Sequence, residues 1–311
     1  MGINALSLCD GISCGQVALH RAGFTVDKYF SSEIEPNAIS ITQYNYPNTV
    51  QIGDIFDVNG YILPKIDLLM SGIPCTFWSG SKNHTAKNKR ETKPDGIGWS
   101  LFEEFDRIKN ETKPTYFLLE NNYKIADEIR DEISNRLGVE PLLIDSSLLS
   151  AQTRKRYYWT NIPNVTMPED KGILFKDVAV YDPHLYKQDD RILKTLKVSK
   201  TGNYVKWDLS GKGYYSQQDR AYYGHTKAPT VPRCRTETKI NLYINANTYK
   251  KTCPLECERL QTLPDDYTKY GLLEDFSVVE IPKTRRFEAI GNCWTVDVIA
   301  HILSFIPKEI I

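Results

Sequence analysis

The stretch SGIPCTFWSG, residues 71–80, sets Cys75 directly after an apolar run, IDLLM, and a proline. A short leucine-rich run closed by Gly and Pro reads as a central strand of a parallel sheet. Loops at the carboxyl ends of such strands are where ligands bind. A thiol there stands at the rim of a site and can act as a nucleophile, although most cysteines are small buried hydrophobes. Glu120, in FLLENN at 117–122, ends another apolar run in the same way. It suits a helix cap, a surface charge or, on the strand end beside Cys75, a general acid. AQTRKRYYWTN at 151–161 sets Arg154 and Arg156 two apart, on one face if the segment is extended. Such a pair fits an anionic or carbonyl-bearing ligand, or else a solvated basic strand.

Three acids mark a second function. CDGISCG, residues 9–15, joins a first strand to a helix, and its glycines let a ligand approach the backbone. Asp10 lies inside that loop, where it would repel a dinucleotide's pyrophosphate and suit a ligand with an ammonium group. Glu33, about 20 residues on, can hold ribose hydroxyls. Asp54, in GDI, can accept from an adenine amino group. Acids at three consecutive strand ends favour S-adenosylmethionine over NAD.

These residues need an α/β frame. INALSLC, KYFSSE, TVQIGDI, IDLLMSG and TYFLLE read as strands. GQVALHRAG, PNAISITQYNY, GWSLFEEFDRIKN and KIADEIRDEISNRLG read as helices between them, which implies a mostly parallel sheet. Residues 80–98 are polar and basic without apolar periodicity, and read as a long loop that is either functional or disordered, a mobile lid over Cys75 being the functional reading. From about 160 to 250 the periodicity fades into short strands and loops. GNCWTVDVIAHILSFI then returns to an amphipathic helix. The expected division is a catalytic and cofactor-binding domain at 1–160, a small target-recognition domain at 161–250, and a segment at 251–311 that rejoins the first domain.

The 311 residues balance 39 Lys+Arg against 39 Asp+Glu, but unevenly along the chain. Residues 157–255 hold 16 basic and 9 acidic side chains, a net of +7. That asymmetry fits a segment facing a polyanion. No apolar run is long enough for a membrane span and no secretory leader is evident, so a cytoplasmic protein is expected. Seven scattered cysteines fit a reducing compartment, and only Cys253 and Cys257 lie close together, so no metal site is expected.

The order of the motifs resembles that of the DNA (cytosine-5) methyltransferase family across nearly the whole chain. SLCDGISCG resembles the first cofactor motif, SSEIE and IGDI the next two, and SGIPCTFWS the proline–cysteine motif. FLLENN resembles the Glu-Asn motif, QTRKR the family's Gln-x-Arg-x-Arg, and PLECERLQTLPDDY and AIGNCWTVDV the two C-terminal motifs. DGISCG and GNCW lean toward the branch that includes the animal de novo enzymes. QQDRAYYGHTKAPTVPR looks more like bacterial and bacteriophage members, which in turn suggests a prokaryotic or viral protein of restriction–modification type. Three positions depart from the pattern. Ile73 replaces the first proline of Pro-Pro-Cys, Cys9 stands where an aromatic often stacks on adenine, and Asn122 stands where valine is usual.

The resemblance implies a Rossmann-like S-adenosylmethionine-dependent domain with a small inserted target-recognition domain. It also implies a reaction in which Cys75 adds to C6 of a flipped-out cytosine while Glu120 holds or protonates N3. Arg154 would contact the base's O2 and Arg156 would support Glu120 or backbone. Cofactor contacts would fall on Asp10, Gly11, Ile12, Glu33, Ile34, Asp54, Ile55, Pro74, Leu101, Asn292 and Trp294. Double-stranded DNA would meet Ser79, Lys82, Lys87, Lys89 and Arg90 around the loop, and Arg220, Arg233 and Arg235 in the insert. A monomer is expected, with a dimer left open. The competing readings are a tRNA cytosine methyltransferase on the same scaffold, a catalytically silent DNA-binding relative and a nicotinamide oxidoreductase. The intact Cys75, Glu120, Arg154 and Asn292 argue against the second, and Asp10 against the third.

Overall fold

The computed structural model describes residues 2–79, 90–208, 219–236 and 240–308. Its main sheet has seven strands: β1 (Ile3–Leu8), β2 (Val26–Ser32), β3 (Val50–Gln51), β4 (Leu68–Gly72), β5 (Tyr116–Asn122), β6 (Leu142–Asp145) and β7 (Lys155–Thr160). They lie in the order β3-β2-β1-β4-β5-β7-β6, with the first five parallel. β7 runs antiparallel to both β5 and β6. The order reverses between β1 and β4, so the crevice over their carboxyl ends is the topological switch point where ligands bind in such sheets.

Alternation places apolar side chains on both faces of the central strands. Ala5, Leu68, Met70 and Leu118 fall in one buried cluster, while Leu6, Leu8, Leu69, Phe117 and Leu119 fall in the other. The helices are α1 (Cys14–Arg21), α2 (Pro36–Asn45), α3 (Gly96–Thr112), α4 (Asp127–Leu137), α5 (Phe175–Val178), α6 (Arg191–Thr195), α7 (Pro254–Leu260), α8 (Lys283–Asn292) and α9 (Val296–Leu303). α1 and α9 cover the first face, with Leu19, Val298, Ile299 and Ile302 in its cluster. α3 and α4 cover the second through Trp99, Phe102, Phe105, Ile129 and Ile133. Trp99, Phe102, Phe105 and Ile108 recur every third residue, which keeps one stripe of α3 on the sheet.

Two local readings are corrected. The polar loop expected through residue 98 ends at Asp95, because α3 begins at Gly96, just after Lys93-Pro94-Asp95. The strand expected over 49–55 pairs only at Val50–Gln51, on the sheet's edge. Beyond it Asp54 caps a single 3₁₀ turn, its Oδ1 accepting from Phe56 N at 3.2 Å.

A second sheet of six short strands contains β8 (Tyr186–Gln188), β9 (Lys197–Val198), β10 (Tyr204–Lys206), β11 (Arg220–Tyr222), β12 (Asn241–Asn245) and β13 (Thr248–Lys251). Its own core is Ile192, Val205, Trp207 and Ala221. Tyr222, Ala228, Val231 and Leu242 belong instead to the core shared with α1 and α9. A hairpin of β14 (Tyr270–Leu272) and β15 (Val278–Glu280) completes the fold. Among the described residues no helix is long and apolar enough to cross a membrane.

Candidate active site

The loop after β1 is built from left-handed backbone at alternate positions: Cys9 at φ 52°, Gly11 at 63° and Ser13 at 54°. Only glycine takes that region without cost, so Cys9 and Ser13 are held by their surroundings at about 1 kcal/mol each. Asp10 provides part of the hold. It is buried and accepts from Tyr29 OH at 2.7 Å and from Ser13 Oγ. Its contacts thus face inward, shaping the loop. Glu33, at the end of β2, accepts from Gly11 N at 2.7 Å through Oε2, and from Ile34 N and Glu35 N through Oε1. A side chain at Gly11 or at Gly53 would meet nothing within 4 Å, so both glycines border open space.

The three strand-end acids converge. Burial pushes the Cys9 thiol far up, and the carboxylates of Glu33, Asp54 and Asp10 push it further, in that order. Burial also raises Glu33, against the backbone N–H groups that stabilise its anion, and raises Asp10 against the bonds from Ser13 and Tyr29. Anions crowded at the mouth of the crevice favour a cationic ligand. Of the expected cofactor residues, Ile34 is 67% exposed beside these acids. Pro74 and Asn292 are exposed, while Ile12, Ile55 and Leu101 are packed into the protein.

Cys75 opens the turn after β4, its carbonyl accepting from Trp78 N at 3.1 Å and Ser79 N at 2.8 Å. Its burial is intermediate, while Ser79 is buried. Asn121 ties this turn to β5 by donating from Nδ2 to the Ile73 carbonyl at 3.1 Å. Glu91 ties its far side. The Glu91 carboxylate accepts from Trp78 Nε1 at 3.0 Å and from Gly98 N at 3.1 Å. Neither Asn121 nor Glu91 was identified from sequence. Asn121 is the amide of the Glu-Asn motif in FLLENN, but nothing local to that motif shows that its side chain reaches across to the turn after β4.

Gly72 and Glu120 are register partners across β4 and β5, which brings the acid alongside the thiol-bearing turn. Arg156 Nε reaches Glu120 Oε1 at 2.9 Å, and Trp294 Nε1 donates to Oε2 at 3.1 Å. Arg154 and Arg156 are both buried, not solvated. Arg154 donates to the carbonyls of Val231 at 3.2 Å, Gly291 at 3.4 Å and Cys293 at 3.1 Å. Burial, then the charge of Arg156, push Arg154 down to about 10, with the Glu120 carboxylate the strongest opposing influence. Gln152 completes this knot, accepting from Val231 N at 3.0 Å and donating to Leu260 O at 2.6 Å and Gln261 Oε1 at 2.7 Å.

The basic residues expected to meet DNA are dispersed. Lys82, Lys87 and Lys89 lie outside the described residues. Arg90 donates to the Lys124 carbonyl. Arg220 stacks over the Tyr204 ring at 5.2 Å. Arg233 and Arg235 converge, with Arg285, on the carboxylate of Glu288 in α8. The two insert arginines are therefore anchored to the main domain.

Residues 3–308 match the family model described as C-5 cytosine-specific DNA methylase. The chain is 31% identical over 254 residues to the type II methyltransferase M.NgoBV of Neisseria gonorrhoeae, covering 70% of this chain and 58% of that protein. It is 23% identical to M.Bsp6I of a Bacillus species over 98% of both chains. The methyltransferase EhMeth of Entamoeba histolytica superposes over 100% of this chain and 99% of its own, with TM-score 0.68 and 13% identity.

Proposed function

The chain belongs to the C-5 cytosine-specific DNA methylase family, and on that premise we propose that it methylates C5 of a cytosine flipped out of double-stranded DNA, with Cys75 as nucleophile and S-adenosylmethionine as donor. The observation that carries this reading is the register pairing of Gly72 with Glu120, which sets a doubly held carboxylate beside the Cys75 turn. The cofactor fits the crevice after β1: three carboxylates crowd Cys9, and Gly11 and Gly53 open onto free space. Bound there, S-adenosylmethionine supplies an electrophilic methyl group on a sulfonium.

The cytosine ring is too weak a nucleophile at C5 to take that methyl unaided. The Cys75 thiolate adds to C6, forming an S–C6 bond, and the C5=C6 electrons move toward C5 and N3. Glu120 holds or protonates N3 as that charge develops. That addition leaves C5 enamine-like and able to bond to the methyl carbon that S-adenosylmethionine would supply, with the carbon–sulfur bonding pair departing on the thioether. Loss of the C5 proton to a base and expulsion of Cys75 restore the double bond. C6 is shielded in a stacked duplex, so the target base must leave the helix. Arg156 keeps Glu120 oriented, and Arg154 fastens the carbonyls of Val231, Gly291 and Cys293.

We assign residues 1–160 and 251–311 to cofactor binding and chemistry, and 161–250 to reading the DNA. The enzyme would act in the cytoplasm as a monomer. The test is methylome sequencing of a methylation-free host expressing the protein. New 5-methylcytosine within one sequence context is expected. Unmodified DNA, with methylated tRNA in its place, would reject the DNA reading.

A further inference from the structure

We propose that Trp294 is a positioning residue for Glu120, holding the carboxylate in place from an indole laid over Gly72. This rests on the methyl-transfer reading and goes beyond it, because Trp294 was expected to serve the cofactor. Its Nε1 donates to Glu120 Oε2 at 3.1 Å while Arg156 takes Oε1 at 2.9 Å. Donors on both oxygens fix the plane of a carboxylate, which a single donor leaves free to turn. The residue is buried, so the indole N–H needs a partner, and among the described residues this carboxylate provides it.

The strand beneath is cut to fit. A β-carbon at Gly72 would stand 2.6 Å from Trp294 Nε1, so any larger residue there would lift the ring. Gly72 is the register partner of Glu120 and lies three positions before Cys75. The indole therefore spans the strand that leads to the nucleophile and the strand that carries the acid. Its own backbone is anchored on the preceding residue: the Cys293 carbonyl accepts from Arg154 at 3.1 Å and from Gln261 Nε2 at 3.2 Å. The same arginine pair thus serves Glu120 twice, Arg156 directly and Arg154 by seating Trp294.

The test compares Trp294→Phe, which keeps a ring over Gly72 and removes the N–H, with Gly72→Ala, which keeps the tryptophan and displaces it. Transfer of labelled methyl from S-adenosylmethionine to DNA from a methylation-free host is measured, with cofactor affinity by calorimetry. Both variants should lose about 10- to 100-fold in kcat, with KM and Kd for S-adenosylmethionine unchanged. The indole N–H resonance that vanishes in Trp294→Phe, one of five tryptophans, should shift in Glu120→Gln. Weakened cofactor binding with full kcat would make Trp294 a cofactor contact and overturn the proposal, as would an unchanged kcat in both variants. A wild-type protein that moves no methyl to DNA, with the resonance still responding to Glu120→Gln, would instead sink the functional reading and leave the contact without its catalytic purpose.

Discussion

Along the rim of the seven-stranded sheet, Cys75 and Glu120 are placed by strand register, with Gly72 opposite Glu120 and buried side chains on both faces behind them. In the six-stranded sheet the strands are two to five residues long, and four side chains form the private core. Its remaining order is borrowed. Val231 is gripped through its N–H by Gln152 and through its carbonyl by Arg154, and Arg233 and Arg235 rest on Glu288. The difference teaches where each property resides. The groups proposed to react sit at the ends of paired strands, while the arginines proposed to face DNA sit on segments fastened at a few points. Such segments can change sequence without moving the chemistry.

The sharpest separation is Cys75→Ser. Methyl transfer should fall by several orders of magnitude, because a serine hydroxyl is far from ionised where a thiol is partly so. Melting temperature and cofactor affinity should stay at wild-type values. Near-normal turnover would remove Cys75 from the mechanism and with it the catalytic meaning of the rim.

Trp207→Ala attacks the other region. The side chain is 3% exposed and packs beside Tyr249, with ring centroids 5.2 Å apart. Its loss should cost about 3–5 kcal/mol locally, enough to loosen a sheet with so small a core. Hydrogen exchange should accelerate in β10–β13 and sequence preference should blur, while calorimetry shows S-adenosylmethionine bound as before. If cofactor binding fails together with the second sheet, the two regions fold as one unit and the contrast collapses.

Glu33→Ala tests whether the rim's acids recognise the cofactor or only shape the loop. Affinity for S-adenosylmethionine should weaken by about 1–3 kcal/mol, and unchanged affinity would place the ribose elsewhere. The wild type adds a pH signature. Glu33 and Asp10 are raised by burial, so their charged forms are disfavoured until a cation arrives. Binding should therefore release protons, and affinity should fall as pH drops through the raised carboxylates toward the ordinary range, about 4. Calorimetry in buffers of differing ionisation enthalpy reads the released protons directly.

Much of the rim was legible because its signals are local. An apolar run ended by a proline and a cysteine, or by a glutamate, marks a strand end without knowledge of its neighbours, and βαβ alternation gives the sheet. The sequence could not show which strand ends touch. The family resemblance places Trp294 among the cofactor contacts, whereas its N–H donates to Glu120, 174 residues earlier in the chain. Arg154 and Arg156 were placed on one face as an extended pair. Arg154 in fact precedes β7 and turns to three carbonyls, while Arg156 within it takes Glu120. The antiparallel hairpin of β6 and β7 was missed, since LLID at 142–145 is too short to stand out by periodicity. Long-range partners of this kind depend on packing, and no window of sequence contains them.

The smallest effect is expected at Glu288, where the two regions meet. Its carboxylate accepts from Arg233 Nε at 2.9 Å, Arg235 Nε at 2.9 Å and Arg285 at 3.0 Å. Burial pushes this carboxyl up, but the three arginines pull it down to about 2. A folded value below the unfolded one contributes stability above the ordinary carboxylate range, and that contribution fades as pH falls toward 2. The arginines are 42%, 68% and 45% exposed, so solvent screening holds the gain to about 1 kcal/mol or less. Glu288→Gln keeps the shape and frees one positive charge from a group that already carries a net +2. Affinity for DNA of any sequence should rise severalfold at low salt, and the slope of log K against log salt should steepen by up to about 0.9. A change of preference at one base position with an unaltered slope would show that Arg233 or Arg235 reads a base. If slope and preference both stay fixed, these arginines face away from the DNA, and the insert must read it with other residues.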